Sequence, residues 1–121
     1  MPRILIDACG WAALVDASIN IDLAFSEVTG PAEFVATEGV IDELNRLATQ
    51  REGLLLDLLL PRCEVISNPA GVDHVDDGLL KIAYESGIAV LTVDRRLKQR
   101  LAEAGCAYVE VTASRTLRLV D

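Results

Sequence analysis

The 121-residue sequence has few of the side chains that serve as nucleophile partners or zinc ligands. It contains one histidine, His74, and nothing near it marks a serine or cysteine nucleophile. Its three cysteines, Cys9, Cys63 and Cys106, form no C-x-x-C pair and lack the spacing of a zinc site. These absences argue against histidine-dependent hydrolysis and zinc binding. The carboxylates of aspartate and glutamate are therefore the candidate catalytic or metal-binding groups.

Basic and aromatic residues are also scarce. Eleven lysines and arginines face 19 acids, which gives a formal charge of −8, and aromatic residues make up 4% of the chain. A protein that coats nucleic acid through charge alone has the opposite balance, although a local basic strip is compatible with this one. Hydrophobic residues make up 51%, so we expect one domain over 1–121 with a core of leucine, valine, isoleucine and alanine.

Long apolar runs are absent as well. The densest stretch, 54–60, is interrupted by Asp57 and is far too short to cross a bilayer, so no membrane partner is expected. No charged-then-apolar leader precedes the strand-like residues that begin at Ile4. The odd cysteine count and the apolar surroundings of each cysteine are typical of reduced thiols. The sequence therefore predicts a cytoplasmic protein.

Short apolar runs alternate with helical patterns along the chain. Strands are predicted at 4–6, 34–36, 63–66, 89–93, 108–111 and 116–119. Helices are predicted after Asp7, at 21–25, after a Thr37 cap, at 51–60 with Pro61 as the stop, from Asp76 or Asp77 to a Gly87 cap, and from Asp94 to 104. This alternation predicts a three-layer α/β/α sandwich with a mostly parallel central sheet.

Acidic residues stand at the ends of predicted strands and the starts of predicted helices. Asp7 and Asp94 each follow a strand, and the carboxyl ends of parallel strands meet at one edge of a sheet. Asp77 and Glu43, each near the start of a helix, could reach the same edge. Gathered carboxylates repel one another unless a cation is present, and oxygen ligands suit Mg²⁺ or Mn²⁺. Such ions activate water and stabilise charge on a phosphodiester.

Four short motifs in order resemble the PIN domain family. They are I-L-I-D at 4–7, V-I-D-E-L at 40–44, V-D-D-G-L-L-K-I-A at 75–83 and L-T-V-D-R-R-L at 91–97. The short length and the R-R-L-K-Q-R-L run look most like the compact single-domain members related to the nuclease that processes small-subunit ribosomal RNA. VapC-type toxins are close relatives. The resemblance implies a PIN-like fold and a metal-dependent endoribonuclease that cleaves single-stranded RNA with Mg²⁺ or Mn²⁺. It also implies that the protein can form a homodimer or bind a protein partner such as an antitoxin.

The resemblance also assigns roles to individual residues. Asp7, Glu43, Asp77 and Asp94 match the acidic positions of the family and are the predicted metal ligands and catalytic residues. The choice of Asp77 over Asp76 is nearly even on local chemistry and rests on the register of the apolar residues that follow. On backbone grounds, an aspartate before a helix is also a favoured cap, so capping is the alternative role of Asp94.

A basic run follows Asp94. The functional interpretation is that Arg95, Arg96 and Lys98, with Arg100 beside them, contact RNA phosphates next to the metal. The alternative is a solvated helix face with no ligand.

Two departures from the family pattern support other functions. Ala8 and Cys9 follow Asp7 where the family commonly has a polar pair, and Arg95 follows Asp94 where a polar or acidic residue is common. These departures favour a non-catalytic PIN module that binds RNA or a partner protein. A second alternative is the toxin of a toxin–antitoxin pair, held inactive by a partner that fills the cleft.

Overall fold

The computed structural model describes residues 2–121, and one six-stranded sheet lies at its centre. The strands lie in the order β3-β2-β1-β4-β5-β6, and every pair is parallel except β5 with β6. Helices cover this sheet, so the predicted three-layer α/β/α architecture is confirmed. In chain order the strands are β1 (Arg3–Ile6), β2 (Glu33–Thr37), β3 (Cys63–Ile66), β4 (Ala89–Leu91), β5 (Tyr108–Val111) and β6 (Leu117–Val120).

Six helices connect the strands, and two of them begin at the predicted caps. Thr37 Oγ1 accepts a 3.2 Å hydrogen bond from Val40 N, and Asp94 accepts from the first turn of its own helix. Gly87 ends a third helix in the left-handed conformation, with φ 70°, which glycine adopts without strain. The helices are α1 (Ala8–Asp16), α2 (Ile21–Val28), α3 (Glu38–Gln50), α4 (Leu56–Leu59), α5 (Val75–Ser86) and α6 (Arg95–Glu103).

Within residues 2–121, no single helix has the length and hydropathy to span a bilayer. Helices α1 and α2 meet these criteria only when taken together, as a pair bent by 113°.

The predicted helix over 51–60 is wrong in its first half. Only α4 is α-helical there, and a 3₁₀ turn, Leu60–Arg62, follows it and contains the proline expected to end the helix. Leu55 has φ 54°, in the left-handed region that a continuous helix cannot include. The carbonyl of Leu54 accepts a 2.7 Å hydrogen bond from buried Trp11 Nε1. This distant tryptophan therefore stabilises a bent connection in place of helix.

The sheet order places the ends of β1 and β4 side by side. The chain builds outward from β1 through β2 to β3, then crosses back and adds β4 on the other side of β1. The register pairs Ile6 with Leu91, so the residues that follow both strands emerge together. Ligands of open α/β sheets bind in the crevice at such a reversal of strand order. Ile4, Leu5 and Ile6 of β1 and Val90 and Leu91 of β4 are almost entirely buried and hold this edge in place.

Candidate functional site

Asp7, directly after β1, is held by the end of β4. Its carboxylate is only 4% exposed, and its Oδ2 accepts hydrogen bonds from Thr92 Oγ1 at 2.7 Å and Cys9 Sγ at 3.1 Å. Its backbone N–H donates to Leu91 O at 3.0 Å. Oδ1 accepts no hydrogen bond from residues 2–121. One oxygen of Asp7 is therefore fixed and the other is available to a ligand.

Asp94 combines the two roles considered for it. Its Oδ1 accepts hydrogen bonds from Arg96 N at 2.8 Å and Leu97 N at 3.1 Å, which caps α6. Its own N–H donates to Thr92 Oγ1 at 3.1 Å. Oδ2 receives no hydrogen bond from the described part of the chain. Capping thus uses one carboxylate oxygen, and the second remains free at the same edge as Asp7.

Glycine at position 10 permits this arrangement, a feature that the sequence did not predict. A Cβ at Gly10 would lie 2.3 Å from Leu91 O, far inside contact distance, so the first turn of α1 touches the β4 backbone. Only glycine allows the approach without moving α1 or β4. In the sequence, D-A-C-G carries no local signal for this contact, since the neighbour lies about eighty residues away in the chain.

Glu43, on α3, lies within electrostatic reach of the strand-end acids. Its pKa is raised above the ordinary value by partial burial first and then by the negative charges of Asp7 and Asp76, while Arg46 opposes the shift. The Asp7 carboxylate is therefore close enough to Glu43 for its charge to disfavour ionisation of Glu43.

Asp76, in the first turn of α5, is coupled to the same acids. Burial is the largest cause of its raised pKa, followed by the charges of Asp7 and Asp94; Arg100 lowers it and Asp77 contributes least. Asp76 was the alternative to Asp77 as the site's third acid. The carboxylate of Asp76 therefore lies within electrostatic reach of both strand-end aspartates.

Asp77 has a different partner. Arg100 Nη2 donates a hydrogen bond to Asp77 Oδ1 at 2.6 Å, and both side chains are part-exposed. The structure therefore joins Asp7, Glu43 and Asp94 to Asp76, and places Asp77 in an ion pair with α6. The ligand role of Asp77 stays a prediction, and the structure provides a competing role for it.

The carboxylates suit a hard cation without forming a closed site. Within residues 2–121, no three His, Cys, Asp or Glu side chains are grouped closely enough to hold a metal ion by themselves. All the candidate donors are carboxylate oxygens, and the repulsion that raises the pKa of Glu43 and Asp76 is what a divalent cation relieves. Mg²⁺ retains several waters and is commonly held by one or two carboxylates. The donor chemistry thus fits Mg²⁺ or Mn²⁺.

A cleft of about 550 Å³ opens beside these acids. One wall is acidic and comes from α3, α5 and the loop before α5, and the other is basic and comes from α6. His74, predicted to have no chemical role, occupies the position before α5 without capping it. The lining residues are Glu43, Asp73, His74, Val75, Asp76, Asp77, Arg96 and Arg100.

The three predicted RNA-contacting residues occupy different places. Arg96 lines the cleft, whereas Arg95 is exposed outside it. Lys98 donates a 2.9 Å hydrogen bond to Glu110, a buried acid on β5, and lies 6.0 Å from the Tyr108 ring centre. An ion pair inside the protein therefore engages Lys98, which the sequence pattern alone did not reveal.

Comparisons with known proteins agree with this fold. A family model described as a PIN-like domain matches residues 4–114. The PIN domain endonuclease Utp24 superposes with a TM-score of 0.78 at 18% identity, over 97% of this chain and 90% of that one. A PilT N-terminus domain protein from the hyperthermophilic archaeon Sulfolobus solfataricus gives 0.58 at 14% identity, over 89% and 86%. The comparison with curated protein sequences gives no match.

Proposed function

The chain belongs to the PIN-like domain family, and from this membership and its acidic cleft we propose that it is a metal-dependent endoribonuclease that cleaves single-stranded RNA. The observation that carries the proposal is the junction of Asp7 and Asp94 through Thr92. It presents a free oxygen of each carboxylate at the reversal of strand order, where Glu43 and Asp76 are coupled to them electrostatically.

Asp7, Asp94, Glu43 and Asp76 are the residues we propose to hold Mg²⁺ or Mn²⁺. When bound, such an ion makes a water more acidic and offsets the negative charge that develops on a phosphodiester during attack. Asp77, the ligand predicted from the family pattern, is the alternative to Asp76. Its ion pair with Arg100 supports Asp76 as the better candidate.

The remaining residues of the site orient these acids. The hydroxyl of Thr92 and the thiol of Cys9 donate to one oxygen of Asp7 and so leave the other available to a ligand. Burial and the charge of Asp7 raise the pKa of the Cys9 thiol to about 11, so it remains a neutral donor at neutral pH. The polar groups around Asp7 are thus supplied by Cys9 and Thr92 in place of the polar pair common in the family.

Precursor ribosomal RNA is the substrate that we propose to test first. The support is the likeness of this compact chain and its R-R-L-K-Q-R-L run to single-domain PIN proteins of that class. Any RNA strand must enter an open cleft lined by both acids and arginines, which suits an extended single strand that can bring one phosphate at a time to the acids.

The function is tested by incubating purified protein with a fluorescently labelled single-stranded RNA and Mn²⁺. We expect cleavage that EDTA abolishes and that Asp7→Ala abolishes. Asp57→Ala, on the exposed side of α4, is the matched control and is expected to cleave like the wild type. Parallel melting curves should show that Mn²⁺ raises the Tm of the wild type and the control but not that of Asp7→Ala. Cleavage that survives EDTA would rule out the metal mechanism.

A non-catalytic module is the second candidate function. The observation that favours it is the absence of a closed metal-binding group within residues 2–121. This alternative predicts RNA binding with no cleavage over a wide range of Mn²⁺ concentration. A toxin held by an antitoxin would instead cleave RNA when purified alone and lose activity when a basic partner segment fills the acidic side of the cleft.

A further inference from the structure

The basic wall of the cleft is formed by two arginines on one face of α6. Arg96 and Arg100 are four residues apart, so their side chains lie next to each other along the helix. Leu97 and Leu101, on a neighbouring face of α6, are fully buried and fix the helix against the sheet. Both arginines line the same cleft as the carboxylates. The helix therefore presents two neighbouring guanidinium groups to anything that enters.

The two arginines differ in their present partners. Arg100 holds Asp77 at 2.6 Å, and this pair is accessible to solvent, with 34% and 43% of the two side chains exposed. Arg96 makes no salt bridge with residues 2–121. A carboxylate and a phosphate offer an arginine the same kind of charged oxygen acceptor. Arg100 therefore already binds one anion in the cleft, which is the carboxylate of Asp77.

An RNA strand needs such a wall because the rest of the cleft repels it. The chain carries a formal charge of −8, and Glu43, Asp73 and Asp76 line the cleft together with the arginines of α6. A phosphodiester can approach these acids only where positive charge offsets its own. Arg95, outside the cleft, and Lys98, paired with Glu110, are not placed to supply that charge.

We propose that Arg96 and Arg100 bind backbone phosphates of single-stranded RNA, and that Asp77 is a competing carboxylate that occupies Arg100 until a phosphate replaces it. This inference rests on the proposed function for its choice of nucleic acid. It assigns RNA binding to Arg96 and Arg100 and removes Arg95 and Lys98 from the predicted contacts. The phosphate binding itself needs no metal.

The test measures binding of a short fluorescein-labelled oligouridylate by anisotropy in EDTA, over a series of salt concentrations. Arg96→Gln and Arg100→Gln should each weaken binding about 10-fold, as expected for loss of a charge-assisted hydrogen bond. Each should also reduce the slope of log K against log salt by about 0.7, the amount for one phosphate contact on a single strand. Lys81→Gln, on the exposed side of α5, removes the same charge outside the cleft and should leave the slope unchanged.

Two further variants separate the guanidinium geometry of Arg100 and its competition with Asp77 from effects on folding. Arg100→Lys keeps the charge and should keep the wild-type slope, while binding more weakly because an ammonium lacks the planar fork of the guanidinium. Asp77→Asn should bind the oligouridylate several-fold more tightly, because Arg100 no longer has a competing carboxylate. Glu85→Gln, which removes an equal charge at the distal end of α5, is its control. Melting curves verify that each variant is folded.

The results distinguish this inference from the proposed function. Wild-type protein that fails to bind the oligouridylate, or arginine variants with the wild-type slope, would overturn the inference even if Mn²⁺-dependent cleavage is observed. Binding that depends on Arg96 and Arg100, in a protein that never cleaves RNA with Mn²⁺, would uphold the inference and reject the nuclease proposal.

Discussion

Thr92 donates a 2.7 Å hydrogen bond to Oδ2 of Asp7, joining two residues 85 positions apart in the chain. Both side chains are almost completely buried. A carboxylate at that depth loses much of its hydration, and the hydroxyl replaces part of it. The same hydroxyl oxygen accepts the N–H of Asp94 at 3.1 Å. One threonine therefore couples the positions of both strand-end aspartates.

Replacing Thr92 with valine tests this coupling. The substitution keeps the shape of the side chain and removes the hydroxyl, so Asp7 loses a buried donor. We expect a loss of about 2 kcal/mol in the free energy of unfolding and a weaker Mn²⁺-induced rise in Tm. Urea denaturation in EDTA measures the first and thermal melting the second. The control, Thr49→Val, alters an exposed threonine and should change stability by less than about 0.5 kcal/mol. Equal stability of the two variants would contradict the role of Thr92.

Two substitutions at Asp94 separate capping from metal binding. Asn retains an oxygen that caps α6, so Asp94→Asn should abolish cleavage without lowering the stability of the metal-free protein, and relief of carboxylate repulsion should raise it. Ala removes both roles, and Asp94→Ala should cost about 1 kcal/mol of unfolding free energy. Denaturation in EDTA gives the comparison. Strong destabilisation by Asn would show that capping by the charged group is the dominant role.

The adjacent acids of α5 should behave differently toward Mn²⁺. Asp76→Asn is expected to remove most of the Mn²⁺-induced increase in Tm, because Asp76 is coupled electrostatically to Asp7 and Asp94. Asp77→Asn is expected to preserve that increase, because Asp77 pairs with Arg100. Each variant loses one charge in the same helical turn and so serves as the control for the other. The reverse result would restore the ligand assignment predicted from the family pattern.

The shifted pKa values predict opposite pH dependences for two variants. The pKa of Asp76 is raised by burial and neighbouring carboxylates, so the folded state binds its proton more tightly and stability falls as pH rises from the ordinary value of 3.8 through the raised one. The pKa of Glu110 is lowered, chiefly by its hydrogen bond from Lys98, so its contribution is present at neutral pH and is lost as pH falls through the lowered value.

Urea denaturation in EDTA at about pH 7 and about pH 4 makes the comparison. Asp76→Asn should be more stable than wild type at the higher pH, and that advantage should shrink at the lower pH as the wild-type carboxyl takes up its proton. Glu110→Gln should be less stable than wild type at the higher pH, and its deficit should shrink in acid. Differences that do not vary with pH would show that these shifts do not influence folding.

Gly10 should tolerate no side chain. Gly10→Ala places a methyl group 2.3 Å from Leu91 O, a backbone atom that cannot rotate away, and should cost about 3 kcal/mol in unfolding free energy. Gly78→Ala, in α5, is the matched control, since its nearest contact is Pro69 Cδ at 3.3 Å and alanine favours the helix. Denaturation curves of both variants measure the two changes in unfolding free energy. Similar losses of stability at positions 10 and 78 would contradict the proposed clash at Gly10.

The features that could be predicted from the sequence depend on neighbours along the chain. The caps at Thr37 and Asp94 follow from a short polar residue placed directly before a helical pattern, and the structure contains both hydrogen bonds. The end of β1 before Asp7 follows from where its apolar run stops, whereas β4 ends at Leu91 and not at residue 93 as predicted. The parallel sheet follows from the alternation of strands and helices, which brings those two ends to one edge.

The features that were missed depend on residues distant in sequence. Asp77 forms an ion pair with Arg100, which approaches from α6, and our proposed preference for Asp76 as the ligand rests on that pair. In the sequence, Lys98 is part of a basic helix face, and the sequence does not show that the fold places the buried Glu110 beside it. The connection before α4 is bent because Trp11 donates to Leu54 O across the core. No local pattern in the sequence reports such partners.

The parallel pairing of β1 with β4 makes the site a product of the whole fold. These two strands are neighbours in space, yet β2, β3 and the helices between them must be traversed before β4 is synthesised. Closing so long a loop is entropically costly, and no stabilising contact offsets that cost until the strands pair. Any opening that separates β1 from β4 disperses the carboxylates at once. Cleavage competence and resistance to proteolysis should therefore be gained and lost as one cooperative event.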